Sequence, residues 1–169
     1  MIKKYTITRI TITGAARGLG REICIRLAKE GCTITCIDII LAGAKETAKL
    51  CNEIKSNCAE AHLCDITDRR KVAELVKLVK PVDVLINNAG IVSSADIMEV
   101  SDENIERMMN VNVMAQFWTS YAQHFSLIDE SIVGKGALRS GYWRRLVAGS
   151  SLVEMRGSLV TMLDQDEVT

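Results

Sequence analysis

The sequence predicts a doubly wound α/β fold on a parallel sheet, incomplete at its C-terminal end. Three observations carry this. Short runs rich in Ile, Val and Thr alternate with helical runs through the first two thirds of the chain, the pattern of βαβ units. Those apolar runs are nearly continuous, as in strands buried on both faces. A glycine-rich turn joins the first strand to the first helix.

Each element follows from its residues. Residues 5–13 are rich in Ile and Thr and read as a strand. Residues 14–20 are the glycine-rich turn. Residues 21–30 read as a helix with Ile23, Cys24 and Leu27 on one face, ending at Gly31. Residues 33–37 are a second strand, closed by Asp38. A helix over 42–55 and a third strand over 59–63 follow. Residues 68–80 predict a helix with Val72, Leu75, Val76 and Val79 inward, and Pro81 stops it. Residues 82–86, almost wholly apolar, are a fourth strand. Ser101 is a candidate N-cap, with Asp102 and Glu103 at the positive end of a long helix over 102–124.

Near residue 123 the character changes. Residues 1–122 form one α/β portion, and 123–169 a divergent tail. Five glycines and six serines punctuate residues 126–158 without a period of 3.6 or 2. One strand near 146–149 is the single element expected there.

Composition excludes some functions. The 169 residues carry 21 Lys+Arg and 21 Asp+Glu, a net charge of zero. A nucleic-acid binder working by bulk charge would be basic, and no basic face is left to hold an anionic membrane. At 48% hydrophobic and 25% charged the chain is an ordinary globular one. No apolar run is long enough to span a membrane, and the start lacks the apolar stretch of a secretory signal. Cys24, Cys32, Cys36, Cys51, Cys58 and Cys64 match no metal or redox spacing. They read as buried thiols of a cytoplasmic protein. His62-x-Cys64 is half a metal site at best, so no metal is expected.

The chemistry gathers at the strand ends. Thr13-Gly14-Ala15-Ala16-Arg17-Gly18-Leu19-Gly20 lets the backbone approach a pyrophosphate, while the following helix offers unpaired N–H groups. The plain alternative is a tight turn. Asp38, 18 residues after Gly20, can accept both ribose hydroxyls of NAD and would repel the 2′-phosphate of NADP. Arg17 could instead greet that phosphate, but Ile39, Ile40 and Leu41 add no cation, and NAD is favoured. Asp65 closes the third strand and Asn87-Asn88-Ala89-Gly90 the fourth. In a parallel sheet these ends share one edge, where open α/β sheets bind ligands.

Jointly, in this order and spacing, these motifs and Asn110-Val111-Asn112-Val113 resemble the short-chain dehydrogenase/reductase family and its Rossmann-like fold, over roughly residues 7–122. Residues 113–119 resemble its retinol and hydroxysteroid dehydrogenase branch. The resemblance implies an oxidoreductase transferring hydride between NAD(P) and a small alcohol or ketone. It implies Gly14, Arg17, Gly18, Leu19 and Gly20 around the pyrophosphate, Asp38 on the ribose, and Asp65 with Ile66 at the adenine. It places Asn88, Ala89 and Gly90 past the ribose. It makes Asn112 the asparagine of a catalytic tetrad and aligns Ser151 with its serine. It also implies a homodimer through the helix over 102–124. Peripheral association with endoplasmic reticulum or lipid droplets rests on the resemblance alone.

The tetrad's Tyr-x-x-x-Lys pair is absent. Four residues beyond Tyr5, Tyr121 and Tyr142 stand Arg9, Phe125 and Leu146. A lysine one turn past the tyrosine would share its helix face and ease loss of the phenolic proton. The alternatives are therefore a non-catalytic dinucleotide-binding module or an inactive truncated product.

Overall fold

The structure, a computed structural model, describes residues 8–80, 82–93, 98–126, 143–148 and 151–156. β1 (Arg9–Thr13), α1 (Gly18–Lys29), β2 (Thr33–Asp38), α2 (Leu41–Ile54) and β3 (Ala59–Leu63) come first. α3 (Arg69–Leu78) then leads to β4 (Val84–Asn87). β1 to β4 are parallel, in the spatial order β3-β2-β1-β4. The chain thus moves outward from β1 to β3 and crosses back to the other side of β1. That reversal opens a crevice at the carboxyl ends of β1 and β4.

Alternation along each strand divides the core in two. Ile10 and Ile12 of β1, with Ile34 and Cys36 of β2, pack against Cys24 and Ala28 of α1 and Ala44, Ala48 and Cys51 of α2. On the other face Ile37 packs with Val72 and Leu75 of α3 and with Ala115. The inward face expected of residues 68–80 is the observed one.

Local signals set the helix ends. The Asp68 carboxylate accepts from the Arg70 and Lys71 amides and caps α3. Ser101 caps α4 (Asp102–Met109), its hydroxyl accepting from the Asn104 amide. α4 runs through a π-helical turn, Asn110–Met114, into α5 (Ala115–Ser126). The Ala115 amide donates to the Asn110 carbonyl across that wide turn. α1 begins three residues earlier than expected, inside the glycine-rich turn.

The tail departs from expectation. Residues 143–156 supply two strands, β5 (Trp143–Ala148) and β6 (Ser151–Arg156), rather than one near 146–149. They pair antiparallel with each other, and β6 pairs antiparallel with β4. The sheet is therefore mixed, with four parallel strands and a hairpin. The free edge of β4 that a divergent tail would leave exposed is covered, because β6 satisfies its backbone.

All six cysteines are free and buried. Burial pushes the Cys51 thiol up to about 12 and Cys64 up to about 11. Cys24, hydrogen-bonded with Cys36 at 3.8 Å and then buried, is also pushed up. Protonated, buried thiols are poor nucleophiles and poor metal ligands.

Asp83 anchors the amino end of the sheet. One carboxylate oxygen accepts from the Thr8 amide at 2.9 Å, the Thr8 hydroxyl at 3.0 Å and the Arg9 amide at 3.0 Å. Burial pushes its pKa up, but these bonds outweigh it and the net displacement is downward. A depressed carboxyl stabilises the fold above its unfolded pKa near 3.9 and loses that contribution as pH falls through the folded value. Asp83→Asn should therefore melt below the unaltered chain at pH 7, with the gap closing toward pH 3. A gap independent of pH would remove the charged carboxylate from the explanation.

Candidate functional site

The crevice is built on Thr13, the last residue of β1. Its fully buried hydroxyl accepts from the amides of Asn88 and Ala89, both at 3.1 Å. The Asn88 side-chain amide returns the contact, donating to the carbonyls of Thr13 at 3.1 Å and Gly14 at 3.2 Å. The glycine-rich turn and the Asn87–Gly90 segment are thereby bound edge to edge. Gly14 has φ +69, and a Cβ there would meet the Ala89 Cα at 2.7 Å. Only glycine fits that approach.

Gly18 opens α1 at φ +57, with open space where its side chain would be. Unlike α3 and α4, α1 has no side-chain cap. Its first-turn N–H groups are the kind that bind an anion. Arg17 and Leu19 flank Gly18 and are exposed, whereas Gly20 is buried.

Asp38 faces the same turn from the end of β2. One carboxylate oxygen accepts from the Ala16 amide at 2.8 Å, the other from the Ile40 amide at 2.9 Å. A carboxylate oxygen bonded once can accept again. Asp65, past β3, turns one oxygen onto the amide and hydroxyl of Thr67. Ile66 is buried in the second core cluster, so its side chain belongs to the packing.

The π-helical turn carries Asn112. Its side chain accepts from the Ile91 amide at 2.9 Å and donates to the Ile91 carbonyl at 2.8 Å. The long helix is thus clamped to the loop that follows Gly90. Ser151 begins β6 opposite Ala148, and Leu152 beside it pairs with Asn87. This register puts the Ser151 backbone at the carboxyl end of β4, on the same edge as the glycine-rich turn.

Among the predicted residues, Gly14, Gly18, Gly20, Asp38, Asn88 and Ala89 therefore converge on one crevice, with Gly90 and Asn112 beside it. Two others, Thr47 and Arg21, were missed by sequence reasoning, and Asn87 was named only as part of its strand-end motif. Asn87, almost fully buried, accepts from the Thr119 hydroxyl at 2.6 Å and ties β4 to α5. Thr47 and Arg21 reach the turn from α2 and α1. The signal available for Thr47 was its spacing from Gly43, four residues apart on one helix face. Gly43 lies where a Cβ would meet the Ala16 Cβ at 2.7 Å.

A family model described as short chain dehydrogenase matches residues 8–135. The chain belongs to the short-chain dehydrogenase/reductase family. As a member, it is similar to short-chain dehydrogenase/reductase family 16C member 6 of Bos taurus, with 38% identity over 69% of this chain and 39% of that one. It is 37% identical to estradiol 17-beta-dehydrogenase 11 of Mus musculus, over 67% and 39%. It is also 37% identical to epidermal retinol dehydrogenase 2 of Homo sapiens, over 65% and 37%. This short-chain dehydrogenase/reductase thus spans about two fifths of the length of these relatives. Its fold is shared with a crystal structure of a short-chain type dehydrogenase/reductase from Mycobacterium marinum, with a TM-score of 0.66, 24% identity, and coverage of 70% of this chain and 49% of that one. Among the described residues no helix is long and apolar enough to cross a membrane.

Proposed function

We propose that this chain binds NAD in the crevice between β1 and β4. It would do so as the cofactor-holding portion of an oxidoreductase acting on an alcohol or ketone of retinol- or steroid-like character. The observation that carries this is the uncapped start of α1, opening at Gly18 beside the Asp38 carboxylate. Uncapped N–H groups suit the pyrophosphate, and a carboxylate at the end of β2 suits a ribose diol rather than a phosphate. Asp65 stands where the adenine would lie, and Asn88, Ala89 and Gly90 line the path beyond the ribose. The bound nicotinamide would supply the hydride acceptor or donor. Asn112 would hold the post-Gly90 loop, and Ser151 would stand at the substrate edge. The substrate class is that of the estradiol and retinol dehydrogenases this chain resembles.

A second reading is a dinucleotide-binding module without turnover. The observation favouring it is chemical: no tyrosine in the 169 residues is followed four positions on by lysine. On this second reading these residues, as they stand, bind cofactor without passing a proton to substrate.

One set of titrations tests both. NADH should bind saturably and more tightly than NADPH, and Asp38→Ser should narrow the difference. No saturable binding of either nucleotide would end the proposal. Oxidation of bound NADH on adding a retinoid or steroid carbonyl would end the second reading. The long helix also exposes Ile105, Met109, Phe117 and Tyr121 in a row at helical spacing, which supports pairing of two copies. Sedimentation of the same sample at the monomer mass would remove that part.

A further inference from the structure

We propose that Arg21 and Thr47, which lie behind the glycine-rich turn, are positioning residues that aim its amides at a pyrophosphate. This rests on the cofactor reading above and extends it to side chains that touch no ligand.

The geometry is a relay. The Arg21 Nε donates to the Thr47 hydroxyl at 3.1 Å, and that hydroxyl donates to the Ala15 carbonyl at 2.7 Å. The Arg21 Nη2 donates to the Ala16 carbonyl at 2.6 Å and to the Glu46 carboxylate at 2.7 Å. Thr47 is fully buried, in the interior of α2. A threonine hydroxyl inside a helix ordinarily bonds back to the carbonyl four residues before it. Here the Gly43 carbonyl is that partner at 3.1 Å, yet the Ala15 carbonyl is closer. A guanidinium feeding a hydroxyl that feeds a carbonyl polarises each bond in the chain.

Two successive peptide planes are fixed this way. The peptide joining Ala15 and Ala16 is held at its carbonyl by Thr47 and at its N–H by the Asp38 carboxylate. The next peptide is held at its carbonyl by Arg21. A trans peptide is planar, with N–H and C=O opposed. Holding the Ala16 carbonyl toward Arg21 therefore turns the Arg17 amide the other way, toward the open side of the turn. A turn pinned from behind binds an anion without first ordering itself.

The test separates pyrophosphate contact from general fold loss. Thr47→Val keeps the shape and removes the relay. Thr47→Ser keeps the hydroxyl. Arg21→Gln removes the guanidinium from a partly exposed side chain, so it carries the test should Thr47→Val not fold. NADH, ADP and adenosine are titrated against each full-length variant by ligand-observed NMR. Thr47→Val and Arg21→Gln should weaken NADH and ADP by roughly three- to tenfold, one lost hydrogen bond, with adenosine unchanged and Thr47→Ser near the unaltered chain. The proposal fails if ADP affinity is unaltered in the folded variants, if adenosine falls as far as ADP, or if Thr47→Ser behaves as Thr47→Val. An unaltered chain that binds neither NADH nor ADP overturns the cofactor reading itself, and this inference with it.

Discussion

Gly14→Ala should lower the melting temperature by roughly 5–15 °C and abolish NADH binding. Gly14 sits at φ +69, which already strains any side chain. The added methyl would also meet the Ala89 Cα at 2.7 Å, the Ala89 nitrogen at 3.0 Å and the Asn88 Nδ2 at 3.0 Å. Two of those atoms are backbone and cannot swing aside. Relief requires parting the turn from the Asn87–Gly90 segment, at a cost of about 2–4 kcal/mol. In a chain of this size each kcal/mol moves the midpoint by about 2–4 °C. Gly18→Ala is the control. Gly18 has a similar φ, +57, but nothing within 4 Å. It should cost about 1 kcal/mol of strain and still interfere with binding, because its methyl would enter the space proposed for the pyrophosphate. Equal melting temperatures for the two variants would disprove the close-approach account.

Thr13→Val should destabilise the fold by about 2–4 kcal/mol, measured by denaturant titration. Valine has the same shape, so packing is preserved. What disappears is the acceptor for the Asn88 and Ala89 amides. Two partly buried N–H groups are then left without that partner, and such groups cost more than a bond is worth on average. Thr13→Ser restores the hydroxyl and gives up one methyl, about 1 kcal/mol. The serine variant should therefore be clearly the more stable of the two. If they unfold together, the hydroxyl is not the joint between β1 and β4.

The legible parts of the molecule were those written locally. Apolar runs alternating with helical runs located β1 to β4 along the chain, and Val72 and Leu75 revealed the buried face of α3. Ser101 announced its helix because an N-cap acts within three residues. The glycine-rich turn was visible because Gly14, Gly18 and Gly20 fall close together in the sequence. Thr13, by contrast, reads only as the head of the glycine-rich motif with no role for its hydroxyl, whose partners lie 75 and 76 residues away. The Arg21–Thr47 relay was hidden for the same reason, since both contacts exist only once α2 has packed on α1. Of the hairpin, the sequence predicts only a strand near 146–149, which overlaps β5 and omits β6. Its residues show no strict alternation, and pairing with β4 is a long-range choice that periodicity does not encode. Asn112 was singled out by the resemblance, whereas its bonds to Ile91 required the fold.

The placement of the thiols makes the molecule a gauge of its own opening. All six cysteines lie between residues 24 and 64, and each is buried. An alkylating reagent reaches a buried thiol only during a local or global opening. The rate at which the chain consumes such a reagent thus counts excursions of the half built from β1, α1, β2, α2 and β3. Cys64 packs with α3 and with Ala115 of the long helix, so their parting is counted as well; the hairpin carries no cysteine, and its fraying goes uncounted. Alkylation kinetics set beside a whole-molecule melt would therefore divide the stability of this sheet between its parallel half and its antiparallel edge.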